Sequence, residues 1–445
     1  MKLLFVIPEY LPVSGGGIVT FYKNLVPALV QQGHEAHLLV GSAYSTKLPS
    51  YQEKNVTVDF LDENAVSGKM DCFNRYRALP ELQRHLAAAW AAWEQVDGGK
   101  GYDVVEASDW GLLFAPWVID DAAPPTVVQC HGSNGQIDFY DPKFGEELQG
   151  TVTRLLEKQL LSRADELQSY SQKNAAEWQS ITGRRVSYIP PAWQLERNAP
   201  AVVKQSTHGL VVGRIQSWKG PIILCEALRS LGKDAPVIDW IGRDTAYQES
   251  DVSMSGYLAR RYPDIWGQKI IPLGPRSAKD TAHLQSQAHF ILVPSTWDVF
   301  NYTCVEGMGY ARVVLCSDGA GAAGLIADGE NGFVFSANDS VALAESLRKL
   351  QNISLSERNA IGQRAREAIE TALSPALVAQ QRLAHYEQLL QRGRANAGSP
   401  AIDPWLVDAV RPHTPLPDNL AFLDRLPLRE ISSYTLARSL KKIRR

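Results

Sequence analysis

At 445 residues the chain is long enough for two or three domains with substantial cores. Hydrophobic residues make up 45%, charged residues 21%, and the formal net charge is −3, the balance of a soluble globular protein with no global signal for nucleic acid. Five cysteines (Cys72, Cys130, Cys225, Cys304, Cys316) are scattered without Cys-x-x-Cys spacing, which fits a reducing compartment and indicates neither a disulfide framework nor a zinc site.

The first apolar run, Leu3 to Ile7, is broken by Pro8 and Glu9, too early for a secretory core, and no later run approaches membrane-spanning length. A cytoplasmic protein is expected. The run reads instead as the first strand of a parallel sheet. A loop ending in Gly15-Gly16-Gly17 follows, then Ile18, Phe21, Leu25 and Leu29 at helical spacing, a stop at Gly33, and a second strand from His37 to Val40. This is a βαβ unit whose glycines either permit a tight turn or let the backbone approach a ligand closely. The spacing is not Gly-x-Gly-x-x-Gly, so a dinucleotide fingerprint is weak.

A helix is predicted over Leu79 to Gln95 and a strand over Tyr102 to Glu106, leading to Asp109 and Trp110. Thr126 to Cys130 forms a further strand, ending at His131-Gly132. A histidine at a strand's carboxyl end is either structural or part of a ligand crevice. Val152 to Leu161 continues as helix and Leu167 to Tyr170 as a short strand. Between Tyr188 and His208, Pro190, Pro191 and Pro200 mark a surface linker.

The βα rhythm restarts at Gly209 to Val212, followed by Gly213-Arg214 and Lys219-Gly220 and a helix from Pro221 to Ser230. Two cations beside the turn after a domain's first strand suit a diphosphate, the alternative being a solvated basic turn. Strands at Val237 to Ile241 and Ile270 to Leu273 end near Gly242 and Gly274. The run His289 to Val293 is a buried strand, stopped by Pro294 and Ser295. A loop with Asp298 and a helix with Glu306 in its early turns come next. Another strand is expected over Val313 to Cys316 and a turn over Asp328 to Gly332, with helix to about Gly393 broken at Ser374-Pro375. Beyond Arg394, Gly398, Pro400, Pro404, Pro412, Pro415 and Pro417 give an extended arm. The end, Ile431 to Arg445, reads as a helix closing on Lys441, Lys442, Arg444 and Arg445, suited to anionic lipid or to plain solvation.

Tandem βα-repeat domains, a glycine loop in the first, Gly-Arg…Lys-Gly in the second and an acid eight positions before a glutamate together resemble the retaining GT-B glycosyltransferases of the large family four (group 1) type. The similarity runs from Met1 to about Gly393. It implies an α/β fold of two Rossmann-like domains facing each other across a cleft. The expected division is an acceptor-side domain over 1–190, a linker over 191–208, a nucleotide-sugar domain over 209–375, a helix over 376–393 crossing back to the first domain, and an extension over 394–445.

By the same resemblance, Gly16 and Gly17, with Arg214 and Lys219, would hold the donor diphosphate. Glu306 would accept from the ribose hydroxyls, and Gly242 and Gly274 would line the nucleobase pocket. Asp298, with Asn301, Tyr302 and Thr303 and their backbone N–H groups, would bind the donor sugar. His131 would orient or polarise that sugar, and Asp109, Trp110 and residues Gly132 to Tyr140 would meet the acceptor. Asp298 and His131 would be the catalytic pair of positions, neither acting as a nucleophile. No metal or cofactor is implied, since the chain has no Asp-x-Asp triplet and Arg214 and Lys219 would neutralise the leaving diphosphate. The implied partners are a nucleotide-sugar donor and a glycan, lipid-linked or small-molecule acceptor; separately, and on the charge of the tail alone, the basic end is a candidate for peripheral contact at the inner membrane face. Two positions depart from the family pattern: Asp298 stands where glutamate is usual, and Asn301 where glycine is usual. A sugar-nucleotide epimerase of the same fold, or a non-catalytic binder, is the alternative.

Overall fold

The computed structural model describes residues 1–12, 15–141, 147–195, 206–247, 249–394, 404–412 and 427–443. The chain is α/β, built on two sheets. Strands β1 (Lys2–Ile7), β2 (Glu35–Val40), β3 (Tyr51–Glu53), β4 (Val56–Phe60), β5 (Val104–Ser108), β6 (Thr126–Cys130), β7 (Glu166–Ser169) and β8 (Val186–Tyr188) form the first, in the order β3-β4-β2-β1-β5-β6-β7-β8. All pairs in it are parallel except the β3–β4 edge hairpin. The second half begins at β9 (Gly209–Val212) and β10 (Ile238–Ile241). A small hairpin of β11 (Ala246–Tyr247) and β12 (Glu249–Ser253) follows, then β13 (Ile270–Gly274), β14 (Phe290–Val293), β15 (Val314–Ser317) and β16 (Phe333–Phe335). Its sheet order is β13-β10-β9-β14-β15-β16, and every pair is parallel.

Because parallel sheets are covered on both faces, their strands read as continuous apolar runs. The fully buried β14 is an example, and β1 is apolar and buried from Leu3 onward. Both sheets change strand order beside their first strand, and ligand crevices in such sheets open at the carboxyl ends there. Those ends carry the Gly16–Gly17 loop, Asp109, His131, Arg214 and Asp298.

The helix Pro375–Arg392 leaves the second half and lies against the first. Its Arg382 is fully buried and reaches Glu106 on β5 at 2.6 Å, and its Tyr386 donates to the same carboxylate. Beyond it, the short helix Pro404–Val410 buries Val407 and Val410 in the first half's core, and the Ala409 carbonyl accepts from Tyr76 at 2.9 Å. Part of the predicted extended arm is therefore a docked helix. A final helix, Leu428–Ile443, buries no residue. Among the described residues no helix is long and apolar enough to cross a membrane. Pro200, Gly398, Pro400, Pro415, Pro417, Arg444 and Arg445 lie outside the described residues.

Candidate active site

Strand ends from both sheets converge on one cleft between the halves. From the first half, Gly16 caps the helix Gly17–Gln31, and a Cβ on Gly16 would overlap the Glu9 carboxylate. Burial raises the pKa of Glu9, against a backbone hydrogen bond from Val19 and the charge of Arg214. A Cβ on Gly17 would stand 3.7 Å from the Tyr302 ring of the opposite half. The glycine loop thus faces the start of the helix Tyr302–Gly309.

In the second half, Gly213 and Gly242 pack so closely that a Cβ on Gly242 would overlap the Gly213 carbonyl, and the Gly242 N–H donates to the Gly274 carbonyl at 3.2 Å. Gly220 takes φ +75° and abuts the Pro294 carbonyl, bringing the Lys219 turn against the Asp298 loop. Lys219 forms an ion pair with Asp298. Arg214 is exposed, with Asp298 and Arg243 of its own half and Asp141 and Glu9 of the other as its charged neighbours.

Asn301 has φ +79°, a left-handed conformation that asparagine tolerates better than most residues, which accounts for its place at a position where glycine is usual. Its amide donates to Asp298 at 3.0 Å and to Ser295 at 3.3 Å, while its oxygen accepts the Thr303 N–H at 3.1 Å. Asp298 therefore does not stand free, and the Thr303 N–H expected to face a donor sugar is capped within the chain. Tyr302 is nearly buried, stacked on Trp193 at 5.9 Å. Glu306 accepts from Gln285 at 2.7 Å, and burial raises its pKa against that bond and the charge of Lys23 from the first half.

His131 is 8% exposed and makes edge or tilted contacts with Phe21, Tyr22 and Tyr170. Burial and the Arg382 cation hold its pKa well below the ordinary value, so the imidazole is neutral. Asp109 is 0% exposed, and this corrects its expected part in acceptor contact. It is a strut that accepts the N–H groups of His131 at 2.8 Å and Gly132 at 3.2 Å, with its pKa pushed up by burial to about 7. Trp110 is half-buried, its N–H donating to Ser108 at 3.1 Å. Gly132 needs its φ of +106° to turn the chain beside Val299, and Ser133 then caps the helix Asn134–Tyr140 with a capping box. Glu157, buried on the helix Glu147–Leu161, accepts Ser133 Oγ–H at 2.7 Å and Gly135 N–H at 3.0 Å.

The halves touch around this cleft. Tyr140 stacks on Trp297 at 4.5 Å and 14°, and Trp297 on Trp218 at 5.1 Å. Gln216 donates to Asp141 at 2.7 Å, and Lys173 to the Asp318 carbonyl at 2.7 Å. Among the described residues, His131 Nδ1, Tyr302 Oη and Trp218 Nε1 are buried polar atoms without a partner, a pattern typical of ligand sites.

Sequence reasoning passed over Glu9, Glu157, the aromatic stack, and the Tyr22–Glu106–Arg382 cluster behind His131. Glu106 did carry a signal, being a charged residue in an otherwise apolar strand. Arg382 carried none, since any helix of this length presents charges.

Residues 16–192 match the glycosyl transferase 4-like domain, and residues 194–368 match the glycosyl transferases group 1 family. D-inositol 3-phosphate glycosyltransferase of Xylanimonas cellulosilytica is 22% identical over 370 residues, covering 76% of this chain and 84% of that protein. The protein of the same name from Pseudarthrobacter chlorophenolicus is also 22% identical, over 359 residues, with 77% and 84% covered. Sucrose-phosphate synthase of Thermosynechococcus elongatus has the same fold, with TM-score 0.67 and 16% identity over 88% of this chain and all of that one. Anabaena HepE, solved with UDP and glucose, superposes with TM-score 0.63 and 18% identity over 87% of this chain and all of its own. With one glycosyltransferase domain on each side of a GT-B cleft, the chain belongs to the group 1 glycosyl transferases.

Proposed function

We propose that this glycosyltransferase moves a hexose-type sugar from a nucleoside-diphosphate sugar to a glycan, lipid-linked or small-molecule acceptor, with retention of configuration and without a metal. The reading places it in cell-surface polysaccharide or glycoconjugate synthesis in the cytoplasm. The observation that carries it is the facing of Arg214 and Lys219, at the end of β9 and its turn, with the Gly16–Gly17 helix start across the cleft. Breaking the anomeric carbon–phosphate bond leaves charge on the departing diphosphate. Fixed cations and helix-start N–H groups stabilise that charge where it develops. Lys219 would exchange its Asp298 partner for phosphate oxygens as donor enters, and Asp298 would then be released to a sugar hydroxyl. Glu306 would take the ribose hydroxyls. HepE was solved with UDP and glucose, which supports a uridine or related donor as the first to test. The basic end, with Arg429, Arg438, Lys441 and Lys442 beside exposed Leu436, Leu440 and Ile443, would give peripheral contact with anionic lipid.

Purified protein should release nucleoside diphosphate slowly from one of UDP-glucose or GDP-mannose without acceptor and without added metal. Arg214→Ala should lower that rate by roughly 100-fold or more. If no nucleotide-sugar is bound or cleaved, or if Arg214→Ala changes nothing, the reading is wrong.

A further inference from the structure

Behind His131 runs a buried chain of polar groups that ends on the crossing helix. Tyr22 Oη has one hydrogen, and Glu106 takes it at 2.9 Å. Glu106 also accepts from Arg382 and from Tyr386, so three donors converge on its two oxygens and it acts only as an acceptor. The guanidinium of Arg382 additionally holds Gln129, and it lies over the Phe21 ring at 4.8 Å. With its own hydrogen committed to Glu106, Tyr22 can meet His131 Nε2, 3.1 Å away, only by accepting. Nε2 must therefore carry the proton. In a neutral imidazole the other nitrogen is then bare. Nδ1 is the buried atom that has no partner among the described residues.

We propose that Tyr22, Glu106 and Arg382 are positioning residues that fix the His131 imidazole as its Nε2–H tautomer and leave Nδ1 as a hydrogen-bond acceptor for a ligand hydroxyl. The proposal rests on the reading that His131 borders the transferred sugar. A bare nitrogen selects ligands by chemistry: it accepts an O–H, as a pyranose offers, and repels a carboxylate or phosphate oxygen. A buried acceptor without a partner is destabilising, and a hydroxyl of the right ligand removes that penalty. The crossing helix thus belongs to the His131 site although it follows the whole second half in sequence.

The test is the nitrogen spectrum of the full chain labelled at its histidines, with His131→Phe to assign the signal. Wild type should show a protonated Nε2 and an unprotonated Nδ1. Tyr22→Phe keeps the ring and its packing but removes the acceptor, so His131 should pass to a mixture of tautomers or to Nδ1–H. Tyr386→Phe removes a neighbouring donor to Glu106 from the crossing helix and should leave the tautomer as in wild type. A wild-type protein with Nδ1–H would overturn the proposal. So would an unchanged spectrum in Tyr22→Phe, or an equal change in Tyr386→Phe, which would mean general loosening. With UDP-glucose or GDP-mannose, whichever is turned over, Tyr22→Phe should lower kcat about ten-fold or more while donor KM changes little. Absence of turnover in wild type would count against the proposed function alone, because the tautomer is read without substrate.

Discussion

Glu157→Gln separates a proton from a shape. In the folded chain Glu157 is 1% exposed, and burial pushes its pKa from 4.5 to about 8, against hydrogen bonds from Ser133 and Gly135 and with help from the neighbouring Asp109. The sign is set by which state holds the proton. Between about 4.5 and about 8 the unfolded chain has released it and the folded chain retains it. The contribution to stability is therefore fully present below pH 4.5 and is lost as pH rises through about 8. At about 1.4 kcal/mol per pH unit, that interval corresponds to a loss of roughly 5 kcal/mol. Glutamine reproduces the protonated acid, in which the Ser133–Glu157 bond is reversed: its oxygen accepts Gly135 N–H, and its amide donates to Ser133 Oγ, which still caps Gln136. The variant should match wild type near pH 4.5 and exceed it near pH 8 by several kcal/mol in urea unfolding, the gap opening steadily between. Parallel stability curves for the two proteins across that range would refute the reasoning.

Gly220→Ala should cost about 1–2 kcal/mol for its left-handed backbone alone. Displacement of the Pro294 carbonyl adds to that and moves Lys219 from Asp298. Calorimetry should show the second half melting earlier, and an unchanged thermogram would contradict the packing described. At Asn301, urea unfolding should rank wild type first, Gly next within a few tenths of a kcal/mol, and Ala last by about 1–2 kcal/mol, because only Ala both loses the cap and strains φ. Equal stability of the Gly and Ala variants would deny a conformational role. A chain truncated before the helix Leu428–Ile443 should unfold within about 0.5 kcal/mol of wild type, since that helix buries nothing. In vesicle flotation the same truncation should reduce partitioning to anionic lipid, and equal partitioning would dismiss the lipid contact.

Most strands of both sheets were legible because parallel strands are apolar on both faces and many are punctuated by glycine or proline, whereas the three-residue β8 and β16 were too short to be read as strands. β6, β10 and β14 fall within a residue of their predicted bounds. β3 and β4 escaped because an edge hairpin such as Tyr51–Glu53 with Val56–Phe60 alternates weakly and carries exposed polar residues. The docked helix Pro404–Val410 escaped because Pro404 and Pro412 look like punctuation of an extended arm, whereas proline is at home in a helix's first turn. At the site, residue types and spacing placed Arg214, Lys219, Asp298 and Glu306 on strand ends and the elements after them. They could not reveal that Lys219 and Asp298 pair with each other, or that Asp109 turns inward, because both depend on side-chain direction set by neighbouring strands. The buried Arg382–Glu106 contact joins positions 276 residues apart, a separation that no local pattern encodes.

The Tyr140–Trp297–Trp218 stack spans the seam between the halves, one residue from Asp298 and one from Lys219. An aromatic pair of this kind contributes about 0.5–1.5 kcal/mol beyond its buried area, so one ring face alone adds only about a two- to ten-fold bias toward contact between the halves. A clasp of that strength fastens the seam without locking it. On the proposed function, parting of the stack would also relax the loop that carries Asp298, so product exit and the surrender of its sugar hydroxyl would be one mechanical event.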